Sequence, residues 1–466
     1  MKKTTLFAVL VVSSLAFAQS VPANFWGIQI HNNDVVYPPS PPNVPYPFFQ
    51  TLRLWDTNTG WADMNDNEKL CEPPSNGIYD FSNLDTWMNT YASNGWDVIY
   101  TVAKTPCAFS ANPTDSTCPN DFGTGQCDPP KDITCTGHHA GNTDGLDTNF
   151  TTFITDLWTH IKTMGYDKNR RWYVEIWNEP DSKDWDGSWI QNNYCNADLT
   201  AQYRILVRMA ADAKSTILGL DPNANVKFLT PPVNDPLHQM GPGGWEYKYL
   251  QNGGAAYADI LSAHAYVKNP NPVKDVCCDP NTSIVGLTVN TRNHFFTGPT
   301  VTPIFFTEGG YGRDGQQVPS DVVAWTGTYY TLLLSSRLVS SLDWYAYDID
   351  AKMWDQTLSP PALTPTGTAV AVMQQDWGYD GATFDPTGCA STACGTSGAK
   401  RWTCNLTEGT SGTQAQVAWY DGTDQSCSYG PGPSPPYIDY QDLTGKSEVY
   451  QGVPVTLTNR PILFEQ

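Results

Sequence analysis

Basic residues are scarce in this chain of 466 residues: 26 Lys and Arg stand against 47 Asp and Glu, a formal net charge of −21. A chain this acidic is poorly suited to a polyanion, which argues against nucleic acid and anionic lipid as partners and leaves neutral ligands open. Beyond the N-terminus no segment reaches the ~20 consecutive apolar residues of a membrane span, so no spanning helix is expected. Histidine is also rare, at 7 residues. His31 and the His138-His139 pair have no acidic or cysteine partner at ligand spacing, so neither a metal nor any other cofactor is expected. Paired C-x-x-C spacing is missing too, which disfavours a zinc site among the cysteines.

What the chain does have begins with "MKKTTLFAVLVVSSLAFAQS", a Lys-Lys start, an apolar run and a small-x-small site. This is the pattern of a secretory signal cleaved near Ala18, which implies a secreted or periplasmic protein. Twelve cysteines, an even number, then read as disulfides. Two groups stand out, Cys107, Cys118, Cys127 and Cys135 in one Pro/Gly-rich stretch and Cys389, Cys394, Cys404 and Cys427 near the C-terminus. Bridges are expected within or between these groups, with connectivity left open. The adjacent Cys277 and Cys278 are expected to pair with different partners, given the strain of a vicinal bridge.

Short apolar runs alternate with helical patterns. Strands are predicted at 25–31, 51–56, 96–103, 172–179, 225–231, 259–266, 303–308 and 341–347, and helices at Ser82–Asn94 (with Ser82 as N-cap), Phe150–Met164, Leu199–Leu218, Asp321–Ser340 and Thr366–Trp377. Eight β-then-α units imply a (β/α)8 TIM barrel. After Asp380 the texture changes to Gly, Ser, Thr and Cys-rich turns between short alternating runs, the mark of a small all-β unit. The expected organisation is a signal at 1–18, a barrel at 19–380 and a β-sandwich at 381–466, read as an accessory brace or, alternatively, a polysaccharide binder.

The stretch "RWYVEIWNEPD" reads as the fourth strand, stopped by Pro180. Counting alternate residues puts Glu175, Trp177 and Glu179 on one parity; on the seventh strand Ile304, Phe306 and Glu308 share one, with Glu308 just before a Gly309-Gly310 turn. Inward groups at the C-terminal ends of barrel strands surround the active site. Two carboxylates meeting there suit glycosidic bond cleavage, one donating a proton and the other attacking the anomeric carbon or activating water. Glu175 sits one layer deeper and reads as a structural carboxylate.

At these motifs the chain resembles a known family. "IWNEPD", "FFTEGG", "RLWDT", "SAHAY" and "DWYAYD", in that strand context, look like the retaining glycoside hydrolases of clan A, and "GIQIHNN" with "RLWDTNTGW" is most similar to family 39 and its relatives. The resemblance implies Glu179 as acid/base and Glu308 as nucleophile, with Arg53 beside the nucleophile and Asn178 on the sugar 2-hydroxyl. It further implies Tyr266 hydrogen-bonded to the nucleophile, His264 on the same wall and Trp344 as the floor under the sugar. Where the family often shows a histidine on strand three, this chain reads "IYTVAKTP", leaving Tyr100 or Lys104 to fill the space. Seventeen Trp and 24 Tyr provide flat platforms for sugar faces, and the loop residues Trp61, Trp185, Trp189 and Trp245 point to an extended cleft and endo action.

Two functional classes follow. One is a secreted retaining glycosidase acting on a β-linked polysaccharide or oligosaccharide; the other is a glycan-binding barrel without turnover. An inverting enzyme on the same barrel depends on a carboxylate separation that sequence does not give.

Overall fold

A computed structural model describes residues 20–31, 48–91, 95–118, 122–133, 147–182, 200–267, 271–277, 279–311, 318–348, 351–359, 361–395, 398–409, 411–422, 427–431, 437 and 439–466. The signal segment, His138 and His139, Trp185 and Trp189, and Cys135, Cys195 and Cys278 lie outside these residues.

Eight parallel strands form the centre: β1 (Trp26–Gln29), β2 (Thr51–Leu54), β3 (Asp97–Val102), β4 (Trp172–Ile176), β5 (Val226–Leu229), β6 (Leu261–Tyr266), β7 (Ile304–Gly310) and β8 (Ser341–Trp344). Each pairs with its neighbour in sequence, β8 pairs back to β1, and a parallel bridge between Leu229 and Ile260 joins the β5 and β6 edges, so the sheet closes into a barrel. The helices are α1 (Ser82–Tyr91), α2 (Thr148–Met164), α3 (Ala201–Leu220), α4 (Pro236–Gln239), α5 (Trp245–Gln251), α6 (Ile284–Phe295), α7 (Val322–Ser336) and α8 (Pro365–Gln375). Ser82 opens α1 rather than capping it; the Asp80 carboxylate accepts from the Ser82 N–H at 2.9 Å. Helix α2 shows why these segments coil: Phe150, Phe153, Ile154, Leu157, Trp158 and Ile161 recur at helical spacing and are all buried, and Gly165 ends the helix in the left-handed region.

Alternation along the strands sorts the barrel interior into layers. Ile99, Tyr173, Leu229, Ile260 and Phe305 form an apolar floor. Above it lie polar groups, Gln29, Arg53, Thr101, Glu175, Ser262 and Asp343, every one of them buried. Gly27 makes room for one of them, since a Cβ there would stand 2.2 Å from Asp343 Oδ1.

The simple parity expected for the two glutamates does not hold. On β7 it is Phe305 that faces inward, while Ile304 and Phe306 belong to the outer core. The β6–β7 register then slips between Ala263 and His264, pairing Ala263 with Phe306 but His264 with Glu308. One extra residue on β7 turns Glu308 inward, the re-aiming that a β-bulge performs. Nor does the strand end at Glu308; it runs on through Gly310. On β4 the strand stops at Ile176, and Trp177 (φ 74°) and Glu179 (φ 40°) adopt left-handed backbone conformations. Such conformations cost of order 1–3 kcal/mol for non-glycine residues and cluster where a side chain must be held at a set angle.

Beyond α8 the chain enters a six-stranded antiparallel sheet built from β9 (Thr383–Ala393), β10 (Lys400–Thr407), β11 (Gln414–Tyr420), β12 (Asp439–Asp442), β13 (Ser447–Val449) and β14 (Ile462–Glu465). Their order across the sheet is β9-β10-β11-β14-β12-β13, so the last strand of the chain sits in the middle. Phe384, Leu406, Val417 and Leu463 are continuous with the barrel's core, and a Cβ on Gly327 of α7 would lie 2.3 Å from Leu443. The opposite face is covered by Tyr429, Tyr437, Tyr440 and Tyr450 around Phe464. The fold is therefore a TIM barrel with a β-sandwich unit packed on α7.

Four disulfides are present among the described residues: Cys71–Cys107, Cys118–Cys127, Cys389–Cys404 and Cys394–Cys427. Three fall within the expected groups. The fourth ties Cys107 to Cys71, outside both, because the loop after β2 packs under the loop after β3, where Glu68 also accepts from the Cys107 N–H. Cys277 is disulfide-bonded as well. No helix among the described residues is long and apolar enough to cross a membrane.

Candidate active site

Strand β2 carries Arg53 into the barrel, where it is fully buried and acts as a hub. Nη1 donates to Glu308 Oε1 at 2.5 Å and to Gln29 Oε1 at 3.1 Å; Nη2 donates to Glu175 Oε1 at 2.5 Å and to Asn178 Oδ1 at 2.7 Å. A guanidinium only donates, so Asn178 must present its carbonyl oxygen to it, which fixes the amide's orientation. Removing one partner from a buried ion pair of this kind typically costs about 3–5 kcal/mol. Glu175, with Thr101 donating to it at 2.8 Å, is thus the internal counter-ion of Arg53.

Glu308 has both oxygens engaged, because Oε2 accepts from the Tyr266 hydroxyl at 2.5 Å. Bonds from a guanidinium and a phenol are strongest to the charged form of a carboxylate. His264, on the same strand as Tyr266, places Nδ1 2.6 Å from Glu179 Oε1 and 3.4 Å from Glu308 Oε2. One carboxylate oxygen of each glutamate and a ring nitrogen of His264 all lie within 4.8 Å of one another. Glu308 is fully buried, whereas Glu179 keeps 4% of its surface exposed. Carboxylates and an imidazole at such distances could ligate a cation. Here the Arg53 guanidinium already lies 2.5 Å from Glu308, so an added metal ion would be repelled by a fixed positive charge.

Five of the other expected site residues therefore converge with Glu179: Glu308, Arg53, Asn178, His264 and Tyr266. Arg53 and His264 are fully buried and bond to the carboxylates, so they position these groups. Trp344 does not join them. Its parity on β8 is outward; the ring stacks on Tyr330 of α7 at 5.6 Å and its Nε1 donates to the Ala351 carbonyl. The inward neighbour is Tyr345, whose ring meets Tyr266 edge-on at 6.2 Å. Tyr100 also faces outward, its hydroxyl donating to the Thr59 carbonyl at 2.5 Å, while Lys104 rests its Nζ 5.4 Å from the centre of the Trp55 ring. Trp61 is buried between Phe109 and Phe153, and Trp245 packs against Tyr203 and Tyr249, so neither lines a cleft. These two give no support to endo action, and the other two tryptophans cited for it, Trp185 and Trp189, lie outside the described residues.

A second cluster on the same rim was not anticipated. His31, at the end of β1, places Nε2 2.8 Å from the Tyr345 hydroxyl and 3.1 Å from Asp56 Oδ2, with Asp348 Oδ1 3.8 Å from Nδ1. Burial opposes a charge on His31, but hydrogen bonds to Asp348 and Asp56 outweigh it and raise the imidazole to about 9. The sequence alone gives His31 no role beyond that of a disfavoured metal ligand. The signal that could have found this cluster is the inward parity of residues 27, 29 and 31.

Just past Pro180, burial pushes the Asp181 carboxyl up from 3.8 to about 6; the field of Glu179 adds to this, and N–H donation from Asn234 and Asp235 opposes it. An acid raised in the folded state contributes stability below its unfolded value and loses it as pH rises through the folded one. Asp181→Asn, which can still accept from Asn234, is therefore expected to gain up to about 3 kcal/mol at pH 7.5 and nothing at pH 3.5. Urea unfolding at the two pH values checks this, and equal effects at both would refute it.

No family model matches this chain, and no curated protein is similar to it. Among solved structures it is similar to a family 44 endoglucanase from Clostridium thermocellum, with 11% identity and a TM-score of 0.48 over 96% of this chain and 97% of that one. A family 51 α-L-arabinofuranosidase from Bifidobacterium longum gives 10% identity and 0.48 over the same shares. A family 5 glycoside hydrolase from Prevotella bryantii B14 gives 12% and 0.43, over 76% of this chain and 96% of that one.

Proposed function

We propose that this protein is a glycoside hydrolase that cleaves β-glycosidic bonds in an oligosaccharide or polysaccharide by double displacement. The observation that carries the reading is the approach of Glu179 and Glu308 to within 4.8 Å at their nearest oxygens. Retaining glycosidases hold their two carboxyl groups roughly 5–5.5 Å apart, whereas inverting ones need about 6.5–9.5 Å to seat a water between them.

In the first step a Glu308 oxygen attacks the anomeric carbon as the bond to the leaving oxygen breaks, and Glu179 gives that oxygen its proton. In the second, Glu179 takes a proton from water, the water oxygen attacks the anomeric carbon, and the Glu308 ester bond breaks. The surroundings suit this division. Glu308, clamped by Arg53 and Tyr266, has its negative charge and its direction fixed. Glu179 is the more exposed and has an imidazole for a neighbour, a setting for a group that must gain and lose a proton. A barrel that bound glycan without turnover would have no need of such a clamp beneath one carboxylate. The motif resemblance to family 39 and the signal-like N-terminus extend the proposal to an exported enzyme of that kind, and the four disulfides fit an oxidising destination.

Proton NMR during hydrolysis of a panel of β-linked xylo-, gluco-, manno- and galacto-oligosaccharides tests the proposal. The β-anomer is expected to appear first and then mutarotate. Initial release of the α-anomer would overturn double displacement, and the absence of turnover across a broad panel would overturn the activity.

A further inference from the structure

Asp181 shares a turn with Glu179. The Ser182 N–H and hydroxyl donate to the Glu179 carbonyl at 2.9 and 2.8 Å, so residues Glu179 to Ser182 form one hydrogen-bonded β-turn. Glu179 enters it in the left-handed region, which a non-glycine residue keeps only where its surroundings hold it. The Asp181 carboxyl supplies one such hold. Its Oδ1 accepts from the Asn234 N–H at 2.9 Å and its Oδ2 from the Asp235 N–H at 3.5 Å, both in the loop after β5. One residue earlier in that loop, the Val233 carbonyl accepts from the backbone N–H of His264 at 2.9 Å. The His264 imidazole in turn reaches Glu179 at 2.6 Å. These links close into a ring that runs from Glu179 through its turn, Asp181, the 233–235 loop and His264 back to Glu179.

A charge in this ring acts on Glu179. Among the described residues, the titratable and charged groups around the turn are His264 on β6, Glu308 on β7 with Arg53 of β2 behind it, Glu246 on α5, and Asp235, which is paired with His238 at 2.8 Å. Glu246 is fully buried, and burial holds its carboxyl well above the ordinary value, so it brings no charge near pH 7. Asp181 differs. Burial raises its carboxyl too, but the two backbone donors oppose this and it titrates at about 6. It is therefore ionised at neutral pH, where an acid/base must still keep its proton. Repulsion between two carboxylates is mutual, so the field of Glu179 that raises Asp181 implies an equal opposition to the ionisation of Glu179.

We propose that Asp181 is the positioning residue of the acid/base: it pins the turn that aims Glu179, and its negative charge holds the proton on Glu179 at neutral pH. The consequence for catalysis rests on the glycosidase reading; the coupling of the two carboxyl groups does not.

Carbon-13 NMR of the full chain labelled at the glutamate carboxyl carbon follows the Glu179 titration, with Glu179→Gln assigning its signal. Asp181→Asn still accepts from Asn234 and carries no charge, so in this variant the Glu179 midpoint is expected to fall by about half a pH unit or more. The alkaline limb of kcat/KM on alkyl glycosides should fall with it. At pH 5, where Asp181 is itself mostly neutral, Asp181→Asn should match the parent protein within about twofold. Asp181→Ala removes the acceptor as well. It is expected to lose at least ~10-fold in kcat/KM on alkyl glycosides, whose leaving group needs a proton, and less than ~3-fold on dinitrophenyl glycosides, whose leaving group does not. Melting temperature checks that each variant is folded. A Glu179 midpoint in Asp181→Asn within about 0.2 unit of the parent value, or equal losses on both substrate classes in Asp181→Ala, overturns the proposal. A parent protein that turns over no glycoside removes the glycosidase reading, and the NMR titration still upholds or overturns the coupling of Asp181 to Glu179.

Discussion

Glu308→Gln is expected to lower kcat/KM by at least ~10⁴-fold on every substrate, activated or not, equivalent to about 5 kcal/mol of lost transition-state stabilisation. The amide is isosteric but is a far weaker nucleophile than a carboxylate, and no quality of leaving group compensates for the lack of an attacking oxygen. The protein should still fold, because Arg53 keeps its other bonds, to Glu175 at 2.5 Å and to Asn178 at 2.7 Å. The carbonyl of the substituted amide can face Nη1 as the Glu308 oxygen does now. Steady-state kinetics beside a thermal melt separate the two effects. Activity within tenfold of the parent protein, with the fold intact, would remove Glu308 from the nucleophile's role.

The legibility of this site in the sequence was uneven, and the reasons are local. The barrel was readable because eight apolar runs recur between helical patterns, and parallel strands buried on both faces need such runs. The pairing of Glu179 with Glu308 was reached by counting alternate residues, but the count passed over two irregularities that it could not register. A one-residue slip on β7 turns Glu308 in where unbroken alternation would have turned Thr307 in, and left-handed turns at Trp177 and Glu179 replace the last residues of the expected fourth strand. Bulges and strained turns leave little mark on composition, since any residue type can occupy the extra position. The same blindness worked the other way on β8. There alternation is regular, Asp343 and Tyr345 face in, and the aromatic chosen from motif resemblance, Trp344, faces helix α7. Arg53 and Tyr266, taken from the motif resemblance, lie on strands without such a slip and reach Glu308. The His31–Asp56–Tyr345 cluster depends on three chain segments meeting at the rim, and contacts between residues 25 and 314 positions apart have no local signature.

The assignment of the second carboxylate makes the more discriminating prediction. Glu179→Ala removes the proton donor of the first step and the base of the second while leaving Glu308 and its Arg53 and Tyr266 partners in place. On substrates with poor leaving groups, which need a proton to depart, kcat/KM is expected to fall by about 10²–10⁴-fold, the usual worth of general acid catalysis. On dinitrophenyl glycosides, whose leaving group departs without a proton, formation of the glycosyl-enzyme should remain fast and its breakdown should become limiting, visible as a burst of phenolate followed by slow turnover. Azide then enters the space that the Glu179 side chain vacates. Needing no base, it attacks the anomeric carbon of the Glu308 ester from the face opposite that bond, so a β-glycoside yields a β-glycosyl azide and turnover recovers. Glu308→Ala should show no burst, and any azide product from it must be the α-azide, formed in a single displacement. Azide rescue with a β-azide from Glu308→Ala instead would exchange the roles of the two glutamates. Near-parent rates in both variants would mean that glycoside cleavage, if it occurs, uses other groups than these.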